Sequence, residues 1–293
     1  MFEVKSFISK YKRRLLKTAI SHAFSRNPKS YKALFLDYPV SPVPRYGFGH
    51  EPHRRLTSIL NQNRQKYKDL LGDFSKFETT IEQIPYEMVD RVDPFWNNGF
   101  FPALDALALY CIIALTKPAR YLEIGSGNST KFARKSIRDN KISTKIICID
   151  PKPRAEIKGI ADEIIYSPLE SIDLSIFSML ETNDILFIDG SHRCFMNSDV
   201  TTVFLDIIPE LARGIKIHFH DIFIPYDYPP EIKECFYSEQ YLLAVMLLSQ
   251  YKSNVLFPGF FIQNDKELMY ILDPITMKLN HTSFHGASFW ICN

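Results

Sequence analysis

The amino-acid sequence predicts an α/β fold, a mostly parallel sheet with crossover helices, carried behind a helical amino-terminal extension. Three observations predict it. From about residue 79, short β-rich runs alternate with stretches of helical periodicity, the signature of strand-helix-strand units. One of these runs, Tyr121-Leu122-Glu123-Ile124, leads straight into a glycine turn that opens a helix. The chain of 293 residues is 46% hydrophobic and 23% charged, apolar enough for a substantial core and long enough for one α/β domain plus an extension.

Taken in order, residues 1–32 hold nine Lys/Arg against the single acid Glu3, with Phe7, Ile8, Tyr11, Leu15 and Ala19 close to helical spacing. This reads as a basic amphipathic helix, which serves either to lie on an anionic membrane or partner surface or simply as a solvated face. Prolines and glycines make Tyr38 to Pro52 a linker, and a polar helical stretch runs from about Arg55 to Phe74. Residues 1–78 are therefore assigned to the extension and 79–293 to the α/β domain. Leu104, Leu107, Ala108, Cys111, Ile112 and Leu115 follow i, i+3, i+4, i+7 spacing for a helix buried on one side and stopped by Pro118.

Strands are expected at Arg120–Ile124, Lys145–Asp150, Glu163–Tyr166, Asp184–Asp189 and Ile215–His220, with later ones near Asn254–Phe257, Leu268–Leu272 and Ser288–Cys292. An amphipathic helix covering Val200 to Leu211 separates the fourth from the fifth, and the carboxyl-terminal strands read as antiparallel.

Several classes are disfavoured. A net charge of +2 offers no global field for nucleic acid. Five widely spaced cysteines without a CxxC pair argue against a zinc site or a disulfide framework. The most apolar run, Ala103 to Leu115, is too short to span a bilayer and contains Asp105. With no continuous apolar region in residues 1–20 for a secretory signal, a cytoplasmic location is expected, with peripheral contact through residues 1–32 as an added possibility.

The chemistry is expected at the strand tips. Gly125-Ser126-Gly127-Asn128-Ser129-Thr130 follows the first strand; its glycines allow backbone to approach a ligand, and Ser129 can cap the helix whose positive end faces the same crevice. A dinucleotide site would want a third glycine where Thr130 stands, and Glu123 precedes the turn. Both features argue for a cationic ligand over a pyrophosphate, and against a nicotinamide-dependent oxidoreductase. The second strand ends at Asp150, the fourth in Asp189-Gly190-Ser191-His192, and the fifth in His218-Phe219-His220-Asp221. In an open α/β sheet these ends share one rim.

The ExGxGxST pattern resembles the first motif of class I S-adenosylmethionine-dependent methyltransferases, which have a Rossmann-like sheet. The resemblance implies that Glu123, Gly125, Ser126, Gly127, Ser129, Thr130, Asp150 and Asp189 surround the cofactor, with Asp150 on the ribose hydroxyls and Glu123 near the methionine amino group. The DGSH segment, Asp199 and the later His220-Asp221 pair resemble, over roughly residues 94 to 293, a bacterial group that includes macrolide-sugar and cephalosporin-cluster O-methyltransferases. In its sugar-modifying members, acids matching Asp189 and Asp221 hold magnesium. This chain has His220 where those relatives usually carry a second carboxylate, which weakens a site for a hard cation.

The expected activity is O-methylation of a sugar, glycan or other small hydroxyl acceptor. His192 is the candidate general base, and Asp189, His220 and Asp221 are further catalytic candidates. If a helix begins near His192, the seven-residue spacing brings Asp199 to the same face to orient it. Asp199 serves equally as an acid stabilising the next helix. Phe223 to Pro230, rich in aromatics and prolines, is a candidate lid over the crevice, and Asp93 to Asn98 could close its other side. The alternative is a catalytically silent cofactor-binding subunit that docks to a partner or membrane through its basic helix.

Overall fold

The computed structural model describes residues 39–249, 254–279 and 282–293. The basic helix expected over residues 1–32 lies outside them. Val43–Asn293 forms one compact unit, and the boundary expected at residues 78/79 falls inside it. Two helices, α1 (Arg54–Asn61) and α2 (Arg64–Phe74), replace the single stretch expected there. His53 starts α1 by accepting the Leu56 amide on its ring nitrogen. The two helices bury Leu56, Leu60, Tyr67, Leu71 and Phe74 in the same core as the sheet, where each apolar side chain fully removed from water stabilises by about 1.5–3 kcal/mol. Phe74 packs on Phe257 with ring centroids 6.2 Å apart, and Arg64 forms a two-pronged bond to Asp265 at 2.5 and 2.8 Å.

The helix α3 (Ala103–Thr116) is buried on every side from Ala103 to Ala114, not on one face as the spacing predicted. Its outer face is covered by α4 (Asn128–Asp139), where the Tyr110 hydroxyl donates to Asp139 at 2.8 Å and Ser136 donates to the Tyr110 carbonyl at 2.7 Å. Lys117 ends it in a left-handed conformation just before Pro118.

Among the described residues, seven strands form one sheet: β1 (Arg120–Ile124), β2 (Lys145–Ile149), β3 (Glu163–Ile165), β4 (Ile185–Ile188), β5 (Lys216–Phe219), β6 (Asn254–Pro258) and β7 (Phe289–Cys292). Their order is β3-β2-β1-β4-β5-β7-β6. The first five pair in parallel, and β7 inserts antiparallel between β5 and β6. This is the mostly parallel, Rossmann-like sheet with an antiparallel carboxyl-terminal strand that the sequence predicted. The carboxyl ends of β1, β2, β4 and β5 share one rim.

Three local expectations are corrected. Leu268–Leu272 is not a strand: the Asp265 carboxylate accepts the Glu267 and Leu268 amides and starts a short helix, Lys266–Tyr270. Residues 192–198 are not helical, and the next helix begins only at Asp199 behind its Ser198 cap. Helical structure then runs to Glu210 but widens over Val203–Ile207 and tightens over Ile208–Glu210, where Pro209 has no amide to continue an α ladder.

Candidate functional site

The glycine turn is shaped by contact with the neighbouring strand. Gly125 has φ +78°, and a Cβ there would lie 1.9 Å from the Asp189 carbonyl oxygen; only glycine fits both demands. The Gly127 amide donates to Thr130 Oγ1 at 3.1 Å, which fixes the first turn of α4.

Glu123 lies beneath this turn, fully buried. Its carboxylate accepts from Ser129 Oγ, from Thr130 Oγ1 at 2.5 Å and from the Tyr121 hydroxyl at 3.1 Å. Burial pushes its pKa up to about 7, although these three donors pull the other way. Glu123 thus holds the loop in shape through the turn's own hydroxyls. Asp150 is tied in similarly: Oδ2 accepts the Ser126 amide at 2.7 Å and its hydroxyl at 3.1 Å, and Oδ1 accepts the Lys152 amide at 2.7 Å.

Above the turn opens a cavity of about 430 Å³. Ser126 and Gly127 line one wall, Phe95, Asn98 and Phe101 the other, and Asp189 lies at its edge. The segment expected to close this side does line it. Asn98 organises that wall by accepting the Phe101 amide at 2.7 Å and the Asn128 side-chain amide at 3.1 Å. Lys131, almost wholly buried, also faces the cavity and donates to the Arg91 carbonyl at 2.5 Å.

At the tips of β4 and β5 a chain of acids and imidazoles forms. His192 Nε2 lies 3.2 Å from Asp189 Oδ1 and 3.4 Å from Asp221 Oδ2, while its Nδ1 meets Glu239 Oε2 at 2.8 Å. His220 Nδ1 lies 3.5 Å from Asp189 and 3.6 Å from Asp221, and its Nε2 lies 3.3 Å from Asp105 Oδ2. The sequence-predicted residues Asp189, His192, His220 and Asp221 therefore converge. Both His192 and Asp221 adopt left-handed backbone, φ +59° and +53°, a conformation that costs a non-glycine residue on the order of 1–3 kcal/mol and persists only where the surroundings enforce it. For His192 the enforcement comes from α5 (Glu239–Leu248): the Ser238 and Glu239 amides both donate to the His192 carbonyl, at 2.8 and 3.2 Å.

Burial works against charge on His192, yet the contacts with Asp189 and Glu239 push its pKa up to about 10. His220 is likewise held well above the usual range, with Asp189 and Asp105 outweighing its burial. Asp189 goes the other way: despite burial, the two imidazoles hold it well below the usual carboxylate range. His218, stacked on Phe187 at 3.8 Å, meets Ser288 Oγ at 2.7 Å, and its burial depresses its pKa. It stands apart from the rim chemistry.

Asp105 and Glu239 were missed as site residues. Asp105 had a signal, an acid inside an otherwise apolar helix, because a buried charge persists only with partners. Its carboxylate also takes the Ala287 and Ser288 amides at 2.8 and 2.9 Å. Glu239 had no signal beyond being an acid at a helix start. Asp199 does not orient His192; it accepts the Ser191 amide and hydroxyl, each at 2.5 Å. The Phe223 to Pro230 segment is packed structure, not an open lid: Asp227 accepts from Arg45 and Tyr241, both at 2.7 Å, and Tyr226 packs on Phe260 at 5.3 Å.

Residues 122–222, about a third of the chain, match the model of a family described as a methyltransferase domain; they include β2 to β5 and the rim residues Asp189, His192, His220 and Asp221, but not Asp105 or Glu239. Over those residues the chain is similar to that family. An uncharacterized protein of Archaeoglobus fulgidus is 40% identical over 133 residues, which cover 42% of this chain and 58% of that protein. The chain is also similar to a Podospora anserina methyltransferase bound to SAH, with 18% identity, TM-score 0.41, and 84% and 97% of the two chains covered. An O-methyltransferase from Bacillus cereus in complex with SAH shows 10% identity, TM-score 0.37, and 77% and 91% coverage.

Proposed function

We propose that this chain binds S-adenosylmethionine over the Gly125–Thr130 turn and directs its methyl group to an oxygen of a small or glycan-like acceptor. One observation carries the reading: Asp189 both borders the cavity above the glycine turn and anchors the two imidazoles of the rim. A ligand in the cavity and a proton acceptor on the rim would be neighbours. On this reading Asp150, at the tip of β2, takes the ribose hydroxyls once a ligand competes for its bonds to Ser126 and Lys152.

The cofactor supplies an already electrophilic methyl on a cationic sulfur. The chain has to align the acceptor oxygen and accept its proton. His192, expected as the base, sits between carboxylates that keep a proton on it. On this reading His192 takes the acceptor's proton in the fraction of molecules in which it has lost its own, and Asp189 and Glu239 hold the ring in place. Imidazoles approach both Asp189 and Asp221, so a divalent cation held by these two acids would have to displace them.

The test has two parts. Calorimetry should detect S-adenosylhomocysteine binding to the purified chain, and incubation with S-adenosylmethionine and panels of glycans and phenols should release S-adenosylhomocysteine only with an active acceptor. Absence of binding overturns the reading, whereas binding without turnover on any acceptor favours the silent-subunit alternative.

A further inference from the structure

The rim at the tips of β4 and β5 is rich in acids, yet an arginine beside it pairs with none of them. Arg193 directly follows His192 in the turn after β4 and is half-buried. Its Nε donates to the Cys235 carbonyl at 2.9 Å and its Nη1 to the Ser191 carbonyl at 2.9 Å. The guanidinium also lies over the Tyr237 ring, 5.0 Å from its centroid. Among the described residues its side chain has no carboxylate partner.

A guanidinium keeps its charge throughout the range in which proteins fold. The two carbonyls and the ring therefore fix where the group sits but leave its charge unmatched, with Nη2 and one hydrogen of Nη1 still to donate. Tyr237 joins this fork to the rim. Its ring meets the His192 imidazole with centroids 4.7 Å apart, and its partly exposed side chain has a hydroxyl with no hydrogen bond among the described residues. A held fork and a free phenol side by side suit a group with two or more negative oxygens, because a planar guanidinium matches carboxylate and phosphate geometry. A neutral hydroxyl compound would leave the charge unmatched. Asp189 and Asp221 repel any anion that nears the rim, so an acidic molecule whose hydroxyl reaches His192 needs this cation.

We propose that the Arg193 guanidinium and the Tyr237 hydroxyl form an oxyanion subsite for the methyl acceptor, so that the acceptor is an acidic small molecule, a hydroxyl compound bearing a carboxylate or a phosphate. This rests on the methyltransferase reading above and narrows its acceptor class. Arg193 supplies the charge, and Tyr237 supplies a second donor and the link to His192.

Inorganic phosphate and acetate serve as probes, since they need no known acceptor. The full chain is titrated with each, at an ionic strength held constant with chloride, while the arginine Nε–H resonances are followed by nuclear magnetic resonance. Arg193→Lys and Arg193→Gln each delete the Arg193 signal, so either variant assigns it. That signal should shift saturably in the millimolar range with at least one probe, and Tyr237→Phe should weaken the response. A response to phosphate alone, to acetate alone or to both supports the subsite and names the acidic group. An Arg193 signal that neither probe moves overturns the proposal. In turnover with S-adenosylmethionine, kcat/KM for uronic acids or sugar phosphates should exceed that for the neutral parent sugars about tenfold, and Arg193→Gln should erase the preference. Neutral sugars turned over as well as their acidic counterparts overturn the proposal too. Calorimetry with S-adenosylhomocysteine on the same samples tests the cofactor separately: an Arg193 signal that responds in a chain that binds no S-adenosylhomocysteine supports the oxyanion site and overturns the methyltransferase reading instead.

Discussion

The two halves of the rim are built differently. At the tip of β1 the partners are close in sequence: Glu123 is bonded by Ser129 and Thr130, and Gly127 by Thr130, and Ser126 of the same turn ties in Asp150 at the tip of β2. At the tips of β4 and β5 the decisive partners come from remote helices, Asp105 in α3 and Glu239 in α5. The first half is a rigid local cradle and the second a polar network assembled only by the complete fold. Damage to the cradle should therefore appear in cofactor binding, and damage to the network in turnover.

The largest effect is expected from Gly125→Ala, which drives a methyl group into the Asp189 carbonyl and strains a left-handed backbone. A loss of about 3 kcal/mol or more in chemical unfolding, with cofactor binding abolished, is the expected outcome. Near-normal S-adenosylhomocysteine binding would break the idea of a tight cradle. Next comes Glu239→Ala, which leaves the buried His192 Nδ1 unpaired. Stability should drop by about 1–3 kcal/mol, and kcat should fall at least tenfold with little change in cofactor affinity; Glu239→Gln, which keeps an acceptor, should recover much of both. Asp150→Ala should do the reverse, weakening cofactor binding about tenfold, or about 1.4 kcal/mol, while the rim network stays intact.

Acidity and alkalinity separate the halves further. Because the His192 pKa is raised to about 10, its pairing stabilises the fold fully below the ordinary histidine range and fades as pH climbs through about 10. Glu123 has a raised pKa, about 7, so the native state holds its proton longer than the unfolded chain does. Its ionisation costs stability as pH rises from about 4.5 to 7. Thermal melts of His192→Asn and Glu123→Gln against wild type across pH 4 to 10.5 should assign each slope. In turnover, a base role for His192 predicts a rate that keeps rising toward pH 10; a rate that is level from about pH 6 to 9 would remove that role from His192. The smallest effect belongs to Asp199→Ala: with only Ser191 and its own helix start to lose, kcat should change less than about threefold.

The same contrast explains what the sequence made legible. The order of strands, the glycine turn and the convergence of Asp189, His192, His220 and Asp221 follow from periodicity and strand-end position, which are local properties. Glu239 was invisible because nothing in a first-turn acid says which of the sheet's distant residues it will meet. Asp199 misled for a related reason: the seven-residue spacing mattered only if residues 192–198 were helical, and the Ser198 cap starts the helix later. Leu268–Leu272 has an apolar pattern that suits a strand or a helix, and the Asp265 cap decided for the helix. The aromatic loop after Asp221 showed its residue types but not their partners, so a packed segment read as a lid.

The most direct measurement is isothermal calorimetry of S-adenosylhomocysteine against the wild-type chain and Asp150→Ala. A one-to-one association in the micromolar range, weakened about tenfold by the substitution, is the predicted result. No detectable association with the wild-type chain, under conditions where its folding is verified by a cooperative melt, would contradict the assignment of the cavity above Gly125.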